Sequence, residues 1–102
     1  MKIIKISRVR EYAKAHAAAA TNLERWLAIT KAATWTNFED LKRTWSTADR
    51  VKVDSGNTVV VFNISGNKFR LITAVHYDVQ KVFVLRFLTH AEYSKEKWKQ
   101  DL

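Results

Sequence analysis

Three stretches in the second half of the chain carry strand patterns. Thr58 to Ile64 reads TVVVFNI, apolar and largely β-branched. Lys68 to Tyr77 reads KFRLITAVHY and Lys81 to Leu88 reads KVFVLRFL, with apolar residues recurring at period two. Ser65-Gly66-Asn67 separates the first pair and Asp78-Val79-Gln80 the second, so an antiparallel meander is expected. The only glycines, Gly56 and Gly66, each stand beside an asparagine and punctuate strand ends. Alternation puts Lys68, Arg70, Ile72, Ala74 and His76 on one face of the middle strand, with Phe69, Leu71, Thr73, Val75 and Tyr77 on the other. On the last strand it groups Val82, Val84, Arg86 and Leu88 against Lys81, Phe83, Leu85 and Phe87. One sheet face is therefore expected to take helices. The other mixes cations with small or branched residues and is expected to be open to a ligand.

The first half reads differently. Residues 2–6 suggest a short strand, and Ser7 is placed to cap a helix. From Arg8 to about Ala33 the chain is rich in helix formers, without Gly or Pro, and a break is expected at Thr21-Asn22. Leu23, Trp26, Leu27 and Thr30 share a face at helical spacing. Asn37 caps a short helix that carries Phe38, Leu41 and Trp45 on one side. Residues 46–55 are polar and read as a loop, with a brief strand at Val51–Val53. Residues 91–100 read as a C-terminal helix. The alanine run Ala17–Ala20 suggests no function. The order implies one α+β domain over residues 1–102, with helices on one face of a mostly antiparallel sheet.

Charge changes the picture more than composition does. Eighteen basic against 10 acidic residues give a net charge of +8, which favours a polyanionic partner, and the basic residues are interleaved with aromatics in the C-terminal half. The absence of cysteine excludes disulfides, thiolate zinc sites and thiol catalysis. No uninterrupted apolar run has the length of a signal peptide or a membrane span, so a cytoplasmic protein without membrane association is expected. His16, His76 and His90 have no metal-ligand spacing among them, so neither metal nor cofactor is expected.

The candidate chemistry gathers around Thr89. His90 sits at a strand-to-helix junction, where an imidazole can move a proton. Tyr93, three residues on, shares its helix face and can stack on a base. A tight turn at residues 78–80 would bring Arg70 and Arg86 within a residue or two of each other across the strand pair, where a phosphate between them would relieve their repulsion. Lys68, Asn67, His76 and Lys95 are further candidates for RNA contact, although a turn requirement explains Asn67 better. His16, in the alanine-rich helix, is expected at the surface.

These motifs resemble one family. Phe62 to Ile72, FNISGNKFRLI, and Val82 to Tyr93, VFVLRFLTHAEY, resemble the HigB family of bacterial toxins, as does Trp35 to Val53. The paired signatures are N-x-x-G-N-x-x-R, ending at Arg70, and T-H-x-E-Y, from Thr89 to Tyr93. The likeness covers essentially the whole chain and is weakest over Ala13 to Thr21. It implies a RelE-like fold and the toxin of a type II toxin–antitoxin system, an endoribonuclease that cuts mRNA on the ribosome and inhibits translation. It also implies a HigA-like helix-turn-helix antitoxin, and operator DNA bound only through the toxin–antitoxin complex. Carried over by motif, the catalytic residues are Arg70, His90 and Tyr93, with Arg86 and Lys95 as lesser members. Ser94 departs from the family, where an acidic residue is frequent. The alternative from residues alone is a basic RNA- or ribosome-binding module without catalysis, and a third reading is a protein-interaction domain.

Overall fold

A computed structural model describes residues 1–102. The meander stands where the alternation puts it: Thr58–Ile64 (β3), Phe69–His76 (β4) and Lys81–Thr89 (β5) pair antiparallel in sequence. Asp49–Lys52 (β2) adds antiparallel to β3, and Lys2–Ile4 (β1) adds parallel to β5, giving the order β1-β5-β4-β3-β2. The helices are Ile6–Ala15 (α1), Ala20–Ala32 (α2), Phe38–Thr44 (α3) and His90–Ser94 (α4), with 3₁₀ turns at Ala17–Ala19 and Lys97–Gln100. The fold is α+β, with the N-terminal helices packed on a mostly antiparallel five-strand sheet and a short helix near the C-terminus.

The core lies between the sheet and α1 to α3. Val9, Leu23, Trp26 and Leu41 are fully buried there against Val60, Phe62, Leu71, Val82 and Val84. Trp26 meets Phe62 edge-on, with ring centroids 5.4 Å apart. Asn37 caps α3 as expected, its side chain accepting from Asp40 N at 2.8 Å.

Several expectations need correction. The first strand ends at Ile4, the chain turns at Lys5, and Ser7 lies inside α1, where it caps nothing. The break between the first helices falls at His16–Ala19, not at Thr21-Asn22. His16 is half-buried, its ring edge-on to Phe69 and Phe87 at 5.3 and 5.4 Å, so tertiary packing sets the break where local propensity does not. The strand in the polar stretch starts two residues early, at Asp49, because it pairs with Val61. The C-terminal helix is broken: Glu96 takes φ +62° and separates α4 from the final 3₁₀ turn.

Two corrections concern the sheet faces. Strict alternation fails on β5, where the register steps from Ile72↔Arg86 to Thr73↔Val84 and leaves Leu85 as the extra residue of a bulge. Val82 and Val84 face the helices, and past the bulge Phe87 takes over that role. Arg86 and Leu88 are thereby turned to the other face, opposite Ile72 and Arg70. That face is also not open along its length. Val53, Val59, Val61 and Ile72 bury Trp98 from the C-terminal segment, with Tyr93, Leu88 and Leu102 packed around them.

Candidate active site

The centre of the site is Arg70. Its residue is only 8% exposed, and it forms no ion pair. Four hydrogen-bonding contacts hold the guanidinium. Nη1 donates to Asn67 O and Phe69 O, both at 3.1 Å. Nη2 donates to Asn67 Oδ1 and meets His90 Nδ1 at 3.3 Å. A buried cation satisfied by neutral acceptors keeps its charge uncompensated, which a low-dielectric surrounding makes expensive unless an anion arrives.

The β3–β4 turn does the holding. Ser65 and Gly66 adopt φ of +56° and +67° and bring Asn67 back over the start of β4. Asn67 then offers two acceptors to one guanidinium. The same turn receives α4, because His90 N donates to Lys68 O at 2.9 Å.

The T-H-x-E-Y segment divides by role. Thr89 Oγ1 accepts from Glu92 N at 3.2 Å and Glu92 Oε1 accepts from Thr89 N at 3.0 Å, a capping box that starts α4. That hydrogen bond from Thr89 N holds the Glu92 carboxyl below its usual range. Thr89 and Glu92 thus build the helix start, while His90 and Tyr93 reach Arg70. The spacing that identifies a capping box was there to be read in the sequence.

His90 presents Nδ1 to a group that has no lone pair. Arg70 can only donate, so a hydrogen bond at this contact has Nδ1 as its acceptor, which is the tautomer with the ring proton on Nε2. Tyr93 lies under the guanidinium, 5.5 Å from ring centroid to Cζ, in cation–π range. Its other support is Trp98, stacked at 5.2 Å and 18° and donating Nε1 to Tyr93 O at 3.1 Å. Burial, seconded by Asp49, raises the Tyr93 phenol above its ordinary range, and Lys99 and Arg70 oppose that shift only in part. The phenol therefore stays protonated at neutral pH and can donate a hydrogen bond.

The structure brings Arg70, His90, Tyr93 and Asn67 together and leaves the other candidates apart. Arg86 is two positions from Arg70 in register, but it donates Nη1 to Leu85 O at 2.8 Å and makes no contact with Arg70. It lines a separate hollow of about 320 Å³ with Leu88, Lys95, Lys97 and Trp98. Lys68 and Lys95 are exposed. His76 is exposed at the far end of β4, six residues and roughly 20 Å from Arg70, with its ring edge-on to Phe83. Residue types alone pointed neither to Trp98 as the support of Tyr93 nor to Asn67 as the clamp on Arg70.

A family model described as HigB_toxin, RelE-like toxic component of a toxin–antitoxin system, matches residues 19–96. The chain belongs to this toxin family. The matched span contains every residue that touches Arg70 and stops just short of Trp98. No curated protein matches the chain. As a toxin of such a system, the protein has a cognate antitoxin as its partner. No helix of this toxin is long and apolar enough to cross a membrane.

Proposed function

We propose that this toxin is a metal-independent endoribonuclease that cuts messenger RNA engaged on the ribosome and so stops translation. The observation that carries this reading is the buried, uncompensated Arg70 guanidinium in contact with both His90 and Tyr93. RNA brings its own nucleophile, the 2′-hydroxyl. The site has to take the proton from that hydroxyl, stabilise the pentavalent phosphorane and protonate the departing 5′-oxygen. The 2′-O–P bond forms and the P–O5′ bond breaks, which leaves a 2′,3′-cyclic phosphate, or its 3′-phosphate product, and a 5′-hydroxyl.

Arg70 is assigned to the phosphorane charge. A non-bridging oxygen competes with the Asn67 carbonyl for its Nη donors and wins on charge. His90 is assigned to proton transfer. Once phosphate draws the guanidinium away, Nδ1 is released and the ring can be protonated there. Tyr93, neutral and braced by Trp98, stacks on or orients a base. Arg86, Lys68, Lys95 and His76 meet flanking RNA, and Asn67 positions Arg70. A ribosome that supplies part of the alignment makes free RNA a poor substrate. A HigA-like helix-turn-helix antitoxin neutralises the toxin in the cytoplasm, and the complex binds operator DNA.

The test is inducible expression with mapping of RNA 5′ ends. Arg70→Ala and His90→Ala should each lower cleavage by roughly two to three orders of magnitude while the folded far-ultraviolet spectrum is kept. Toxicity retained in both variants would refute the assignment. Translation arrest with intact message would make the protein a binding module instead.

A further inference from the structure

Side chains tie the break between α1 and α2 to the β3–β4 turn. Ser65 Oγ donates to Ala18 O at 3.2 Å and accepts from Asn22 Nδ2 at 2.9 Å. The single proton of the hydroxyl and one of its lone pairs are thereby used. Ser65 holds φ +56°, a conformation that glycine takes without steric cost and serine does not. The two bonds of the hydroxyl offset that cost. Both anchors stand on the main core, because Ala19 and Leu23, the neighbours of Ala18 and Asn22, are fully buried. A second strut runs beside the first: His16, at the start of the break, packs edge-on against Phe69 at 5.3 Å. Asn67 and Phe69 are the residues whose carbonyls accept from Arg70 Nη1. Each carbonyl that holds the guanidinium is thus backed by the segment 16–22, one through Ser65 and the other through His16.

We propose that Ser65 and Asn22 are positioning residues, which fix the β3–β4 turn to the helix layer and so aim Arg70 at the reacting phosphate. The proposal rests on Arg70 as the group that meets the phosphorane. Lys68 N donates to Ser65 O at 3.3 Å and closes the turn over Gly66 and Asn67. A shift of Ser65 is therefore passed within two residues to both Asn67 acceptors. It also reaches His90, whose N–H is held by Lys68 O. Misplacing such groups by about 1 Å can cost about a hundredfold in rate. Neither Ser65 nor Asn22 hydrogen-bonds Arg70, so both act through the turn. The alanine run has a task in this arrangement: its 3₁₀ turn presents the Ala18 carbonyl to Ser65 while Ala19 is buried in the main core.

Two variants of the full chain test this. Ser65→Gly suits φ +56° and removes only the hydroxymethyl group, and Asn22→Ala removes an exposed side chain. Urea midpoints establish that each is folded. Single-turnover cleavage of ribosome-bound message at saturating toxin should slow at least about tenfold in each, with the half-saturating concentration changed less than about threefold. Combined with Asn67→Ala, the loss from Ser65→Gly should be smaller than the product of the single losses. Rates within about twofold of the parent, a change confined to half-saturation, or a full product with Asn67→Ala would overturn the proposal. The second readout needs no RNA: the Arg70 guanidinium resonances in NMR should shift or broaden in both variants. Unchanged resonances would overturn the proposal even if the parent toxin proved to cut nothing, so its failure and that of the nuclease assignment stay distinct.

Discussion

The two faces of the sheet do different work. Toward the helices lies a cluster of 18 buried residues, none of them ionisable. On the opposite face four buried residues gather around Trp98, and Arg70, His90 and Tyr93 stand at their rim. The large core sets whether the chain folds, and the small one sets where Tyr93 lies. A site on a thin second layer can be distorted without unfolding the molecule, so the two faces should respond to substitution in different ways.

The largest expected effect is on the helix side. Trp26→Ala removes a fully buried ring against Phe62 and should cost about 3–5 kcal/mol, much of the stability of a domain this size. Urea unfolding measures it, and a loss under about 1 kcal/mol would mean that the helix layer is not the main core. Trp98→Ala should cost less, about 2 kcal/mol, because the final turn can detach while the sheet stays folded. Tyr93 nevertheless loses its stacking partner, so RNA cleavage should fall far more than stability does. Equal losses at Trp26 and Trp98 would erase the distinction between the faces. Thr89→Ala deletes half of the capping box and should cost about 1 kcal/mol, with helix α4 loosened in hydrogen exchange.

The smallest effect is alkaline. Burial raises the phenols of Tyr12 and Tyr77, which pack on the helix side, and of Tyr93 on the other, above the ordinary value of 10.0. A raised folded value means that the unfolded chain gives up its proton first. Stability is therefore full below about pH 10 and declines as pH rises through the folded values. Melting temperatures across pH 8 to 11 should show the decline, and Tyr12→Phe and Tyr93→Phe should each flatten part of it. A flat profile in the parent protein would show that the phenols titrate alike in both states.

Much of this architecture was legible in the residues. Thr58–Ile64 forms the expected strand to the residue, Asn37 caps the helix its side chain suits, and the faces of β4 follow its alternation. The misses have physical causes. The bulge at Leu85 involves neither Gly nor Pro, so nothing local marks it, and only pairing with β4 creates it. Glu96 stands where the chain takes a left-handed turn without glycine, so residues 91–100 read as one helix. His16 is drawn inward by Phe69 and Phe87, which lie more than fifty residues away in sequence. At the site, Arg70, His90 and Tyr93 come together as the motifs imply. The burial of Arg70 and the separation of Arg86 depend on a turn and a bulge that single-residue patterns do not encode.

The extra residue at Leu85 also sets how β5 can vary. Up to Val84, every second position answers to the helix layer, and beyond the bulge the beat slips by one. A saturation scan along Lys81–Thr89 should therefore show two short rhythms of intolerance, out of phase with each other. Deleting Leu85 would merge them into one and leave Arg86 and Phe87 on the faces they already hold. Substitutions change the side chains of this strand one at a time, whereas flattening the bulge with Leu85 retained would turn Arg86 into the main core.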